Sequence, residues 1–144
     1  MSTITRVVEA TPDQVWSVLS DGWTYPVWVV GASRMRDVDA DWPEVGSQLH
    51  HSAGVWPVLV DDSTEVLECT PGSMLRLRAR GWPAGEAEVV IRLRPQGSST
   101  EVVIEENTVS GPASLIPKLV EDPLMDWRNT ETLRRLAYVA ENRT

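Results

Sequence analysis

Hydrophobic and polar residues alternate through much of the middle of the chain. Over 74–80, Leu75, Leu77 and Ala79 oppose Arg76, Arg78 and Arg80; over 86–94, Ala87, Val89, Ile91 and Leu93 oppose Glu86, Glu88, Arg92 and Arg94. A period of two marks strands with one face on a core and the other in water. The same reading, punctuated by Gly, Pro, Asp and Ser turns, predicts further strands over 33–38, 47–55, 62–69 and 100–109. Ser2–Val8 reads as an opening strand, with β-branched character from Ile4, Val7 and Val8. Thr11-Pro12-Asp13-Gln14 follows it, joining an N-cap hydroxyl, Pro at the first helical position and Gln in the capping-box position. It predicts a short helix with Val15, Trp16, Val18 and Leu19 on its apolar face, ending near Asp21-Gly22. The apolar segment 23–30 is broken by Pro26 and reads as a second short helical turn. After a loop with a helical turn over 111–120, Asp122-Pro123 is expected to open a terminal helix running to about Asn142. On that helix Met125, Asn129, Thr132, Leu133, Leu136 and Ala140 share one stripe, with Arg128 at its edge.

This order predicts an α+β architecture in which a seven-stranded curved antiparallel sheet grips a long C-terminal helix and leaves an apolar hollow between them. The implied job is to hold or process a small, largely apolar molecule. A length of 144 residues fits one domain, 1–144, with a core that needs no staple. Hydrophobic residues at 42% and charged residues at 24% argue against disorder, collagen-like repeats and coiled coils. A formal net charge of -8 disfavours nucleic acid as a partner. Arg76, Arg78 and Arg80 form the one basic ladder unmixed with acids, most simply a solvated face paired across strands with Glu86 and Glu88. Cys69 is the single cysteine, so no intramolecular disulfide is possible. The first ten residues lack the basic and apolar regions of a secretory signal, and a reducing cytoplasm is the expected address. No stretch approaches the roughly 18 apolar residues that span a bilayer. The oligomeric state is not legible.

Three polar groups are candidates for chemistry. Glu106 shares parity with Val102 and Ile104 and should point inward, where desolvation would suit a carboxylate to acid or base work; alternatively it reaches solvent or an Arg such as Arg128. His51 lies on the parity of Leu49, Ala53 and Val55, placed to move protons near neutral pH; the rival readings are a hydrogen-bonded core histidine, or a register break that brings His50 inward instead. Asn129 and Thr132, with Arg128, interrupt the apolar stripe where the helix faces the hollow, and either meet a ligand's polar group or satisfy each other and nearby backbone. The apolar wall is assigned to Trp23, Trp28, Trp56, Leu77, Trp82, Val89, Ile91, Ile104, Met125 and Leu136. Seven Trp against two Tyr and no Phe either line a pocket or fill the core. The Trp42-Pro43, Trp56-Pro57 and Trp82-Pro83 pairs either gate the hollow or tack stiffened loops to the body. No metal is expected, because adjacent His50 and His51 point to opposite faces of a strand and one cysteine makes no thiolate cluster. No phosphate loop or dinucleotide fingerprint predicts a cofactor. There is no Gly-x-Ser-x-Gly elbow, and Cys69 has no predicted basic partner, so nucleophilic catalysis lacks support.

Several segments carry a family resemblance: the Thr-Pro-Asp-Gln-Val-Trp entry to the first helix, Trp28-Val29-Val30-Gly31-Ala32, Trp42-Pro43-Glu44-Val45-Gly46, His50-His51 followed by Gly54-Val55-Trp56-Pro57, and the closing Arg128-Asn129-Thr130-Glu131-Thr132-Leu133. Together they resemble an actinobacterial branch of the SRPBCC superfamily, the START/Bet v 1-like group that includes polyketide cyclase/dehydrase-like proteins. The resemblance spans essentially the whole chain, and it rests on element order more than on motifs. It implies a helix-grip fold with an elongated cavity for lipids, polyketides or other apolar ligands. Three functions follow as expectations: binding of a small apolar ligand; a cyclase or dehydratase using Glu106 and His51 as acid and base; and a co-chaperone-like module docking a protein through the Arg ladder.

Overall fold

The computed structural model describes residues 2–30, 32–55, 58–81, 85–111, 115 and 117–143, apart from the side chains of 33, 34, 53–55, 58–61, 81 and 118. Strand β1, Ser2–Val8, leads through Thr11 into helix α1, Pro12–Leu19. The capping box forms as its residues predict: Thr11 Oγ1 accepts from the Gln14 backbone N–H at 3.2 Å, and Gln14 Oε1 accepts from the Thr11 N–H at 2.8 Å. A 3-10 turn, Gly22–Thr24, and the four-residue helix α2, Tyr25–Trp28, follow. Gly22 is required by close approach, since a Cβ there would stand 2.4 Å from Leu49 Cδ2. The chain then builds β2 (Ala32–Val38), β3 (Gln48–Val55), β4 (Val58–Thr70), β5 (Met74–Gly81), β6 (Gly85–Gln96) and β7 (Ser99–Ser110), and closes with α3, Lys118–Glu141.

The strands form one antiparallel sheet in the order β1-β7-β6-β5-β4-β3-β2. Inward parity is as the alternation predicts: Leu75, Leu77, Ile91, Leu93, Val102 and Ile104 are buried. The outward ladder on β5 is paired across to acids, with Arg76 to Glu88 at 2.9 Å and to Glu68 at 3.1 Å, and Arg78 and Arg80 both to Glu86, at 3.4 and 3.1 Å. Helix α3 packs against β1, α1 and α2 on the concave side. Under its second half Leu133, Leu136, Ala137 and Ala140 meet Val15, Val18 and Leu19 of α1 in one continuous core.

Two boundaries differ from the sequence reading. Helix α3 begins at Lys118, and Pro123, expected at its first position, lies inside it. Pro117 acts as the N-cap, its carbonyl accepting from the Val120 and Glu121 N–H groups. At its sixth position the helix tolerates the proline at the loss of one backbone bond. The early turn is anchored by Glu121, which is buried and accepts a hydrogen bond from the Thr108 hydroxyl on β7. Strand β4 starts at Val58, four residues before the Asp62 start that the sequence predicts; Asp61 and Asp62 stand in register with β3, opposite Ser52 and His51.

Candidate functional site

Between the sheet and the first half of α3 lies a cavity of about 330 Å³. Its floor is the inner face of the central strands: Leu77 of β5, Val89 and Ile91 of β6, and Ile104 and Glu106 of β7. Its roof is Met125, Arg128, Asn129 and Thr132 of α3, and its end wall is Tyr25, Trp28, Val29, Val30, Ala32 and His51. Period-two parity selects the floor residues and the helical stripe selects the roof, which is why sequence alone could nominate both.

Two expected wall residues stand elsewhere. Trp23, in the middle of the 3-10 turn, is 57% exposed and turned to solvent. Leu136 is on the inward stripe but farther along α3 than Thr132, where α1 fills the space, and it is part of the solid core. Trp56 and Trp82, with the idea that their loops gate the hollow, lie outside the described residues. Of the described tryptophans Trp28 alone lines the cavity. Trp42 is in the core with its indole N–H donating to the Leu19 carbonyl at 3.1 Å, so its loop is tacked to the body.

Most of the polar groups on the wall are engaged within the protein. Asn129 Nδ2 donates to Ser2 Oγ at 3.3 Å, and that hydroxyl donates to Asp126 at 2.6 Å, tying the roof to the edge strand β1. Thr132 Oγ1 accepts from the Val30 backbone N–H at 3.3 Å. Thr132 thus meets a nearby backbone group, as one alternative had it, whereas Asn129 meets the side chain of Ser2, and these bonds join the two residues to other groups, not to one another. Glu106 is buried and inward, and its carboxylate accepts from the Arg128 guanidinium. Arg128 is itself 39% exposed, so the pair bridges from the cavity to solvent.

His51 points inward and is 5% exposed, whereas His50 turns outward to Asp39 at 2.9 Å. The ladder is regular here, His51 opposite Asp62 and His50 opposite Ser63. His51 Nε2 lies 2.9 Å from Thr64 Oγ1, and the Tyr25 hydroxyl lies 3.2 Å from the same oxygen. The Tyr25 ring stacks on the imidazole, centroids 5.4 Å apart and planes 18° from parallel. Burial holds the His51 pKa below its ordinary value, with Arg36 and His50 acting the same way and Asp62 opposing. Burial also raises the Tyr25 hydroxyl, the Thr64 hydrogen bond opposing it. At neutral pH the end wall therefore presents a neutral imidazole and a neutral phenol.

Sequence reasoning missed Tyr25, Thr64, Thr108 and Glu121. Tyr25 sits on a helix of four residues, too short for a periodic face. Thr64 shares parity with the core residue Val66, a signal available in the sequence. Glu121 was outside the helix as first bounded. Cys69 is half-buried, and burial with nearby Glu44 raises its pKa, which leaves the thiol unreactive.

A curved seven-stranded antiparallel sheet holding a long C-terminal helix is the helix-grip fold of the Bet v 1-like, SRPBCC superfamily. Within it, residues 2–141 match the model of the family described as polyketide cyclase / dehydrase and lipid transport, and the chain belongs to that family. Solved structures share the fold at low identity. Protein NE0264 from Nitrosomonas europaea has a TM-score of 0.72 at 20% identity, covering 96% of this chain and 92% of that one. Ara h 8.0201 has a TM-score of 0.71 at 10% identity over 97% of each chain. The di-domain ARO/CYC StfQ from the steffimycin biosynthetic pathway matches at 0.69 and 14% identity, over 96% of this chain and 49% of that one. No curated protein matches. Among the described residues no helix is long and apolar enough to cross a membrane.

Proposed function

We propose that the protein binds a small, largely apolar molecule with one polar end in the cavity beneath the first half of α3. The observation that carries this reading is the cavity itself, about 330 Å³ walled mainly by aliphatic and aromatic side chains, in the range of small-molecule sites. The family description, which includes lipid transport, supports it. Native mass spectrometry of the purified protein, followed by denaturing extraction, is expected to release a defined apolar compound in near-stoichiometric amount. Titration with the neutral fluorophore aminoanthracene should give saturable one-to-one binding. Ala87→Trp, which fills the wall between the sheet and helix, should abolish it with the fold intact. A wild-type protein that carries nothing and binds no fluorophore, fatty acid or polycyclic aromatic would overturn the proposal.

A second reading, a cyclase or dehydratase of polyketide-like substrates, is favoured by two titratable groups lining the same cavity, the neutral His51 on the end wall and Glu106 on the floor. The family's description and the steffimycin biosynthetic pathway from which StfQ comes point the same way. It ranks second because one oxygen of Glu106 already accepts from the Arg128 guanidinium, so a substrate would have to share that carboxylate with a positive charge. If Glu106→Gln and His51→Ala abolish turnover of an aromatic polyketide mimic while affinity stays near normal, the enzyme reading takes precedence. Weakened affinity alone leaves the protein a binder.

A further inference from the structure

Two of the side chains that line the cavity form an ion pair from its floor to its roof. Glu106 belongs to β7 and has a side chain only 9% exposed; Arg128 belongs to α3, and its guanidinium donates to the Glu106 carboxylate. Among the described residues the lining has one other cation, Arg80, and it too is paired, with Glu86 at 3.1 Å. That second pair is more open to solvent on both sides and correspondingly screened. Glu121 adds a third carboxylate, which accepts from the Thr108 hydroxyl. His51 and Tyr25 on the end wall are uncharged at neutral pH. Each cation of the described lining is therefore matched by a carboxylate of the same lining.

An arginine set in an otherwise apolar wall is a natural receptor for a carboxylate, because its planar fork and permanent charge fit that group. Here Glu106 takes the place such a ligand would have. A ligand carboxylate brought to Arg128 would stand beside a second carboxylate, with little water between them to weaken the repulsion. Displacing Glu106 instead would leave a buried carboxylate without its counter-charge. An ammonium ligand brought to Glu106 meets the same obstacle with the signs reversed. A neutral molecule meets neither.

We propose that Glu106 is a specificity-determining residue: by neutralising Arg128 within the cavity it excludes free carboxylic acids, fatty acids included, and commits the site to uncharged ligands such as alcohols, ketones and esters. The proposal rests on the ligand-binding reading above and specifies the charge of the ligand's polar end. It makes the ion pair a filter as well as a tie between helix and sheet.

The test is displacement of bound aminoanthracene at neutral pH by 1-decanol, decanoate and decylammonium, three chains of equal length with different heads. The wild type should bind decanol roughly tenfold more tightly than decanoate. Loss of hydration on entering an apolar cavity would by itself weaken both ions, so the variants carry the assignment to Glu106. Glu106→Gln keeps the shape and frees the charge of Arg128; it should tighten decanoate by roughly tenfold, weaken decylammonium and leave decanol within about twofold. Arg128→Gln exposes the opposite charge and should do the reverse, tightening decylammonium and weakening decanoate, so either variant alone tests the idea if the other does not fold. Adding Arg128→Gln to Glu106→Gln should remove the gain for decanoate. Equal displacement by decanol and decanoate in the wild type, or a folded Glu106→Gln protein with unchanged decanoate affinity, would overturn the filter while the cavity still binds the fluorophore. If aminoanthracene itself does not bind, the cavity reading fails and the filter falls with it.

Discussion

Leu136 separates the solid half of the interior from the hollow half. It is fully buried on α3, one turn beyond Thr132, with α1 and the sheet packed around it. Truncation to Ala removes its branched end from a region with no void to absorb the change, so both the transfer term and the new cavity contribute. The expected loss is about 3 kcal/mol. For a domain of this size that lowers Tm by roughly 10 °C. Met125 occupies the same stripe one turn on the other side of Asn129, but it borders the existing cavity. Its side chain already lacks neighbours on that side, so Met125→Ala enlarges an open space at a cost of about 1.5 kcal/mol. Urea unfolding of the two variants, with an unchanged m-value confirming a common unfolded state, measures the difference. Aminoanthracene affinity should change in Met125→Ala and not in Leu136→Ala. Equal destabilisation, or a binding defect confined to Leu136→Ala, would refute this division of the interior.

Four further outcomes are expected. His51 has its folded pKa depressed by burial, so stability should decline as pH falls below about 6.5, where the unfolded chain begins to take up the proton first; the slope in that window should be absent in His51→Gln by urea unfolding at a series of pH values. Glu131 is held at about 2 by hydrogen bonds from Arg134 and Arg135, so its contribution is complete above the ordinary 4.5 and is lost as pH falls from there toward 2; an acid-unfolding profile of Glu131→Gln should be flatter across that interval. Arg128→Met leaves the buried Glu106 carboxylate without its ion-pair partner and should cost about 2 kcal/mol, less than the roughly 3–5 of a fully buried pair because the guanidinium is partly exposed; adding Glu106→Gln should recover most of the loss in a double-mutant cycle. Thr11→Ala removes half of the capping box and should cost about 1 kcal/mol by thermal unfolding.

Where one rule acted over several residues, the sequence was informative. Alternation placed β5, β6 and β7 within a few residues of their observed limits and put Leu77, Ile91, Ile104 and Glu106 on the inner face. The first helix was bounded by its capping box, whose two bonds are both made. Errors arose where two rules competed. Pro123 was given the position that proline prefers, while the burial of Glu121 against Thr108 carried the helix farther back. The strand expected from Asp62 begins at Val58, because the β3–β4 ladder pairs both strands back to Val55 and Val58. The site was legible one element at a time and not between elements. Parity put His51 inward, but its partnership with Thr64 depends on the β3–β4 register, and the Tyr25 contact joins residues 39 apart in sequence. Where the cavity stops was equally hidden, because Leu136 and Met125 share a stripe and only the placement of α1 distinguishes them.

A binding cavity differs from a packing fault in how the polar groups on its wall are treated. A void surrounded by unpaired polar atoms would be costly in every state of the protein. Here each polar contact also joins separate elements: Asn129 and Asp126 hold α3 to Ser2 of β1, Thr132 holds it to the chain after α2, Arg128 and Glu121 hold it to β7. All four attachments fall along the half of the helix that roofs the cavity, while the other half is secured by Leu133, Leu136 and Ala140 in the apolar core. The long helix is thus fixed at one end by hydrophobic packing and at the other by polar ties around a gap. Such ties keep the helix from settling onto the sheet, which apolar contacts alone would favour by removing more surface from water. They also use up most of the polar capacity of the wall, so a ligand in the cavity meets a mainly apolar surface.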